Sequence, residues 1–236
     1  MKILAIDTAT EACSVALLND DITDMIFEIC PQQHSQRILP MIDKLLTKHG
    51  IKIGDLDLLA YGRGPGSFTG VRIATGVVQG LALGSDLPVI EVSTLAAMAQ
   101  QNHMQHGHLI TKVLIDARMQ EVYFGHFEVQ QGVAGGIVKG RQSEAVLTPA
   151  EAVAKFAEIS DDNIAYGRAG TGWDAYSEAF LTLQNTVPIN VLYPSAEYML
   201  PIAEQAFKGG KTIGVDDVTP IYLRDKVSCN TLPVKE

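Results

Sequence analysis

The chain has 236 residues, 47% of them hydrophobic and 19% charged, with 21 glycines. That composition excludes a disordered chain, and the length suffices for one large domain or two small ones. The balance of 18 basic against 27 acidic residues, net −9, sets a field that repels phosphate backbones and disfavours autonomous nucleic-acid binding.

The N-terminal segment MKILAIDTAT reads as a strand entering a turn, without the apolar stretch or cleavage site of a signal peptide. No run approaches the ~18 apolar residues of a membrane span, so a cytoplasmic protein without a membrane anchor is expected. Cys13, Cys30 and Cys229 are widely separated, with no CxxC pair, and read as reduced, buried thiols.

Residues 2–7 (KILAID) and 12–18 (ACSVALL) are β-rich apolar runs separated by Thr8-Ala9-Thr10-Glu11, the pattern of a hairpin, and 24–30 (DMIFEIC) add a third strand. From Ser35 to His49 the period becomes helical, with Ser35 as N-cap and Gly50 as terminator. Ile38, Met41 and Leu45 form one stripe and Leu39, Ile42 and Leu46 another, displaced by about 100°. Two stripes predict a helix covered on both sides, by its own core or by another subunit.

Residues 57–62 read as a buried strand running into the loop Gly62-Arg63-Gly64-Pro65-Gly66-Ser67-Phe68-Thr69-Gly70. A helix from about Thr69 to Leu83 follows, then a strand at 88–92 and a helix from Ser93 or Thr94 to about Gln101. The polar stretch 101–108 (QNHMQHGH) reads as a linker. Beyond it the pattern predicts strands at 110–116, 121–129 and 137–146, and a helix from Thr148 to Ala157. A short strand near 163–167 and a final helix over 195–208, ended by Gly209-Gly210, complete it. Strands followed by βαβα alternation give a mixed α/β protein in two halves, 1–104 and 105–236, the second repeating strands followed by helices in a shorter and less regular form.

Four segments have residues suited to chemistry. Asp7, Thr8 and Thr10 put an acid and two hydroxyls at a strand end, as phosphate or magnesium binding would require; the same residues commonly cap their own backbone in turns. Gly64, Gly66 and Ser67 sit in a glycine-rich loop before a helix, yet no lysine follows as in a Walker loop, and Pro65 breaks a dinucleotide fingerprint. In the helix after that loop, Gly76, Gly80 and Gly84 recur every fourth residue on one face. Mid-helix glycine costs up to about 1 kcal/mol relative to alanine, so close approach of another backbone is the offsetting gain to expect. His103, His106 and His108 invite a metal reading, but no Cys or acidic residue lies near in sequence to complete a zinc ligand set, and Asp116, Arg118 and Glu121 suggest an ion-pair cluster at a hairpin.

In combination, IDTAT, HSQRILPMI, GRGPGSFTGVRIATG, EVSTLAAMA, DARMQEVYFG and PIYLRDKV closely resemble the TsaB (YeaZ) family, from Asp7 to Val227. The resemblance implies a two-lobed fold similar to the actin, sugar-kinase and Hsp-type ATPases, with the second lobe degenerate. It further implies an accessory role in making threonylcarbamoyladenosine in tRNA. The partners implied are a catalytic TsaD-like subunit, a TsaE-like ATPase, a second copy of the chain when alone, and tRNA only through the complex. Catalytic TsaD-type subunits carry two metal-binding histidines on the helix after the strand at 88–92, where this chain has Ser93-Thr94-Leu95-Ala96-Ala97-Met98-Ala99. The resemblance thus implies no catalytic residue, metal or required cofactor, while leaving room for weak ATP or ADP binding.

Two functions remain open on the sequence. In the first the chain is a scaffold whose interface comprises Ile38, Met41, Ile42 and Leu45 of one helix and Arg72, Ile73, Gly76, Val77 and Gly80 of the next. In the second it is a nucleotide-dependent ATPase or phosphotransferase that uses Asp7, Thr8, Thr10, Gly64, Gly66 and Ser67.

Overall fold

The computed structural model describes residues 1–130, 132, 136–159, 165–183 and 186–224. β1 (Lys2–Asp7), β2 (Ala12–Asn19) and β3 (Ile22–Ile29) form an antiparallel meander. β4 (Leu58–Gly62) runs parallel to β1 and β5 (Val89–Val92) parallel to β4, giving the order β3-β2-β1-β4-β5. One face of this sheet is covered by α1 (His34–His49) and α2 (Phe68–Ser85), whose apolar stripes close over Leu4, Ile6, Val15, Leu17, Leu59 and Tyr61.

The second sheet repeats the plan. β6 (Ile110–Asp116) pairs antiparallel with β7 (Val122–Val129), and β7 in turn with β8 (Val138–Gly140) and β9 (Ala145–Leu147). On its other side β6 takes parallel β10 (Tyr166–Ala169), which takes parallel β11 (Thr186–Val191). In both sheets a central strand carries a meander on one side and parallel strands on the other. This is the mixed α/β architecture of two sheets flanked by helices expected from the sequence. The helices of the second lobe are short, α4 (Pro149–Ala157) and the single turn α5 (Gly172–Ala175), which matches its expected degeneracy.

Between the sheets lies α3 (Thr94–His106). Its Ala97 packs against Ile3, Ala5, Leu58 and Ala60 of the first sheet, while Leu95, Met98 and Ala99 pack against Val113, Ile115 and Phe127 of the second. The linker expected at 101–108 is therefore mostly helix, ending at Gly107 in the left-handed conformation, φ +74°. Its polar residues are divided between surface and core: Gln105 and His106 are exposed, while Asn102 is buried and donates to the Arg168 carbonyl at 3.4 Å, and Gln100 just ahead of it donates to the Gly136 carbonyl at 3.1 Å and accepts from the Val138 N–H at 3.0 Å. After β11 the chain returns to the first sheet through a 3-10 turn, Ala196–Met199, and α6 (Leu200–Lys208), which together replace the single helix expected over 195–208.

Other expectations shift in detail. α1 starts at His34 behind Gln33, and no side chain caps it, so Ser35 lies inside the helix. The strand expected at 137–146 is two short strands, β8 and β9. The strand expected near 163 is β10, starting at Tyr166; residues 163 and 164 lie outside the described residues, as does Cys229. Cys13 and Cys30 are buried free thiols, and burial pushes the Cys13 thiol up to about 12. Among the described residues no helix is long and apolar enough to cross a membrane.

Candidate functional site

Asp7 ends β1 fully buried, with one carboxylate oxygen, Oδ1, accepting from the Ala9 N–H at 3.0 Å. Its Oδ2 has no hydrogen-bond partner among the described residues, and burial pushes the carboxyl up to about 7. The hydroxyls that might have met a phosphate serve the backbone instead. Thr8 donates to the Gly70 carbonyl at 2.7 Å, and Thr10 accepts from the Ala12 N–H at 3.3 Å.

The glycine loop lies directly on this turn. A Cβ added to Gly62 would fall 1.9 Å from Asp7 Oδ2, one on Gly66 2.3 Å from the Ala9 carbonyl oxygen, and one on Gly70 2.1 Å from that of Thr8. Ser67 donates its N–H to the Ala9 carbonyl at 2.7 Å, and its hydroxyl caps α2 by accepting from Gly70 N–H at 3.3 Å. The far side of the loop is held too: Thr94 N–H donates to the Gly64 carbonyl at 2.9 Å, and Ile221 N–H to that of Arg63 at 2.8 Å. Asp7, Thr8, Thr10, Gly64, Gly66 and Ser67 are thus brought together as the sequence suggested. What fills the space between them is the loop itself, because a side chain at Gly62, Gly66 or Gly70 would prevent the contact.

A buried carboxyl with a folded-state value of about 7, against 3.8 in the unfolded chain, favours folding fully below pH 4, and that contribution is lost as pH rises through 7. The stability of Asp7→Asn relative to the parent should therefore rise by roughly 3 kcal/mol between pH 4 and pH 8 in urea titrations. A difference that stays flat across that range would show that Asp7 is ionised throughout.

The outer face of α2 is of the opposite kind. Added Cβ atoms on Gly76, Gly80 and Gly84 would meet nothing within 4 Å, and all three glycines are exposed. Arg72 and Leu83 are exposed beside them, while Ile73 and Val77 stand on the flank, half-buried against the core. Val71, Ala74, Val78 and Ala82 form the inward face.

The four interface residues expected on α1 are placed otherwise. Ile38, Met41, Ile42 and Leu45 are at most 4% exposed and belong to the first lobe's own core, as does Leu46. Both stripes of α1 turn inward, because the helix sinks between the sheet and α2; only Leu39, 54% exposed, faces out. The face on which docking was expected therefore reduces, among solvent-exposed positions, to α2 and the edge of α1 beside it.

Residues 211–224, which sequence reasoning left without a role, form a strap along α2. Val218 enters the core, its carbonyl accepts from Gln79 at 2.8 Å, and the Thr219 carbonyl accepts from the Tyr61 hydroxyl at 2.9 Å. The strap ends at Arg224, which donates to the Ala117 carbonyl at 3.0 Å and pairs with Glu121 across the lobes. The expected charge cluster is thus divided: Arg118 pairs with Asp116 at 2.9 Å, and Glu121 with Arg224. His103 contacts the His108 carbonyl through its ring nitrogen at 3.1 Å. Arg63 and Arg141 are paired with Glu91 and Glu128.

A family model described as TsaD, tRNA N6-adenosine threonylcarbamoyltransferase, matches residues 25–169. The tRNA threonylcarbamoyladenosine biosynthesis protein TsaB of Escherichia coli strain K12 is 48% identical over 240 aligned positions that cover 100% of both chains. The TsaB protein of Haemophilus influenzae is 43% identical over 240 positions, covering 100% of this chain and 99% of that one. Among solved structures, YeaZ from Pseudomonas aeruginosa superposes with a TM-score of 0.86 at 41% identity, over 94% of this chain and 99% of that one.

Proposed function

The chain belongs to the TsaB family of tRNA threonylcarbamoyladenosine biosynthesis proteins, and we propose that it serves there as a non-catalytic scaffold that binds and activates a TsaD-like catalytic subunit. The observation that carries this reading is the contrast between its two glycine sets. Gly62, Gly66 and Gly70 close the loop onto the turn that carries Asp7, Thr8 and Thr10, whereas Gly76, Gly80 and Gly84 face outward on α2, where a second helix could approach its backbone.

In this reading the docking helices lie in the N-terminal lobe, 1–104, and the C-terminal lobe, 105–236, lends it α6 and the strap. No cofactor is required, and nucleotide turnover belongs to a TsaE-like ATPase. The tRNA is met only through the assembled cytoplasmic complex, as the net charge of −9 suggests. The chain pairs with a second copy of itself when the catalytic subunit is missing. A second structure from Pseudomonas aeruginosa is described as similar to a peptidase, YEAZ. A peptidase role for this chain finds no support in Cys13 or Cys30, the thiols among the described residues, since burial pushes Cys13 up to about 12 and raises Cys30 above the ordinary range.

The test is a reconstituted modification assay. The complete mixture is expected to form threonylcarbamoyladenosine, the mixture lacking this chain to form little, and the chain alone to turn over neither ATP nor the adenylate donor. Turnover by the purified chain alone would overturn the scaffold role.

A further inference from the structure

We infer that Arg72 is the anchor of the α2 face, a preorganised guanidinium that pairs with one carboxylate on the docking helix of the catalytic subunit. This rests on the docking reading above and adds to it the chemistry of the contact.

Arg72 is the sole charged residue among the 18 of α2. Its guanidinium lies 3.4 Å from the centroid of the Phe68 ring, one turn earlier, and 5.3 Å from that of Tyr222 on the strap. The two rings also pack on each other, with centroids 5.5 Å apart. Phe68 is 54% exposed and Tyr222 42%, so this cluster lies outside the cores of both lobes. The strap holds Tyr222 in place through the Ile221 N–H bond to Arg63 at 2.8 Å on one side and through Arg224 on the other.

A guanidinium laid flat on an aromatic face keeps its in-plane N–H donors directed outward, in the fork that matches a carboxylate. Among the described residues no carboxylate lies within ion-pair distance of Arg72, unlike Arg37 on α1, which is held by Glu28 at 2.6 Å. The stack also restrains a long side chain before any partner arrives, lessening the entropy lost on docking. Arginine and tyrosine in an aromatic cluster are the residue types that dominate binding energy at interfaces.

The surroundings fix the sign of the partner's charge. Ile73, Gly76, Val77, Gly80 and Leu83 make most of the rest of the face apolar and uncharged, with the Gln79 amide donating to the Val218 carbonyl, so a helix seated on it removes Arg72 from water. A buried, unpaired guanidinium is strongly unfavourable, and the partner must bring the compensating acid. The occupant is therefore a helix of small and apolar residues carrying one Asp or Glu opposite Arg72.

The experiment measures, by calorimetry, binding of the full chain to the full-length catalytic subunit at low and high salt. Arg72→Ala, Arg72→Lys, Phe68→Ala and Gly80→Arg are compared, each checked for folding by thermal melting. Arg72→Ala is expected to weaken binding about tenfold or more and to lose most of the parent's salt dependence. Arg72→Lys should be nearly as weak, because an ammonium neither forks nor stacks in the same way, and Phe68→Ala should fall between it and the parent. Parent-like binding by Arg72→Lys would overturn the forked pairing. If Arg72→Ala stays within about twofold while Gly80→Arg abolishes binding, the anchor is wrong and the docking face stands. If Gly80→Arg also binds like the parent, the docking reading falls with it.

Discussion

Gly80→Arg is expected to abolish association with the catalytic subunit, a loss of at least about a hundredfold, while the isolated chain melts within a few degrees of the parent. Both halves follow from what lies beyond the residue. A Cβ added at position 80 meets no described atom within 4 Å beyond the helix's own neighbouring backbone, so the space outside the helix is open to a side chain. The same substitution puts a long charged group where a second helix would pack on the α2 backbone, and it cannot be accommodated without separating the two. Gly76→Ala, Gly80→Ala and Gly84→Ala should go further in dissociating the two properties. Each should stabilise the free chain by about 0.5–1 kcal/mol, by removing glycine's excess freedom in the unfolded state, while weakening association. Thermal melting and co-purification measured on the same samples would check this. A glycine retained at the expense of stability would be retained for contact.

Gly70→Ala should have the opposite effect on the fold. The new Cβ would lie 2.1 Å from the Thr8 carbonyl oxygen and 3.2 Å from its carbon, which are backbone atoms of a fully buried turn and cannot swing aside. Either the loop lifts off the turn, breaking the Thr8 hydroxyl bond to Gly70 and the Ser67 bond to Ala9, or the strand end moves. A loss of about 3 kcal/mol is expected, lowering the melting temperature by roughly 10 °C for a chain of this size. Gly66→Ala, with its Cβ 2.3 Å from the Ala9 carbonyl oxygen, should behave alike. If alanine at 70 were tolerated, the loop would have room to open, and the turn could no longer be regarded as closed.

The sequence made the architecture legible because its strands announce themselves locally. β1, β2 and the run before the glycine loop are predominantly aliphatic, and the change of period at α1 is sharp. α3 was cut short because a helix buried between two sheets carries polar residues inward, and Gln100 and Asn102 look like surface positions until their partners are known. The strap was missed for a different reason: its contacts to Tyr61, Gln79 and Glu121 span more than a hundred residues of chain, and no local pattern reports them.

At the candidate site the sequence identified the glycines but could not tell one set from the other. Both raise the question of what approaches the backbone, and only the surrounding atoms answer it. The two stripes of α1 show the same limit. They were consistent with a partner on one side, yet the helix turns both into its own core. Met41→Glu with Leu45→Glu, which the sequence suggests as an interface test, would instead place two carboxylates at positions no more than 3% exposed and unfold the lobe.

The most direct measurement is the rate of threonylcarbamoyladenosine formation in the reconstituted mixture, with Asp7→Asn and Gly80→Arg each replacing the parent chain. The scaffold account predicts that Asp7→Asn supports the reaction at the parent's rate and that Gly80→Arg supports none. Loss of the reaction with folded, partner-bound Asp7→Asn, or full activity with Gly80→Arg, would contradict it.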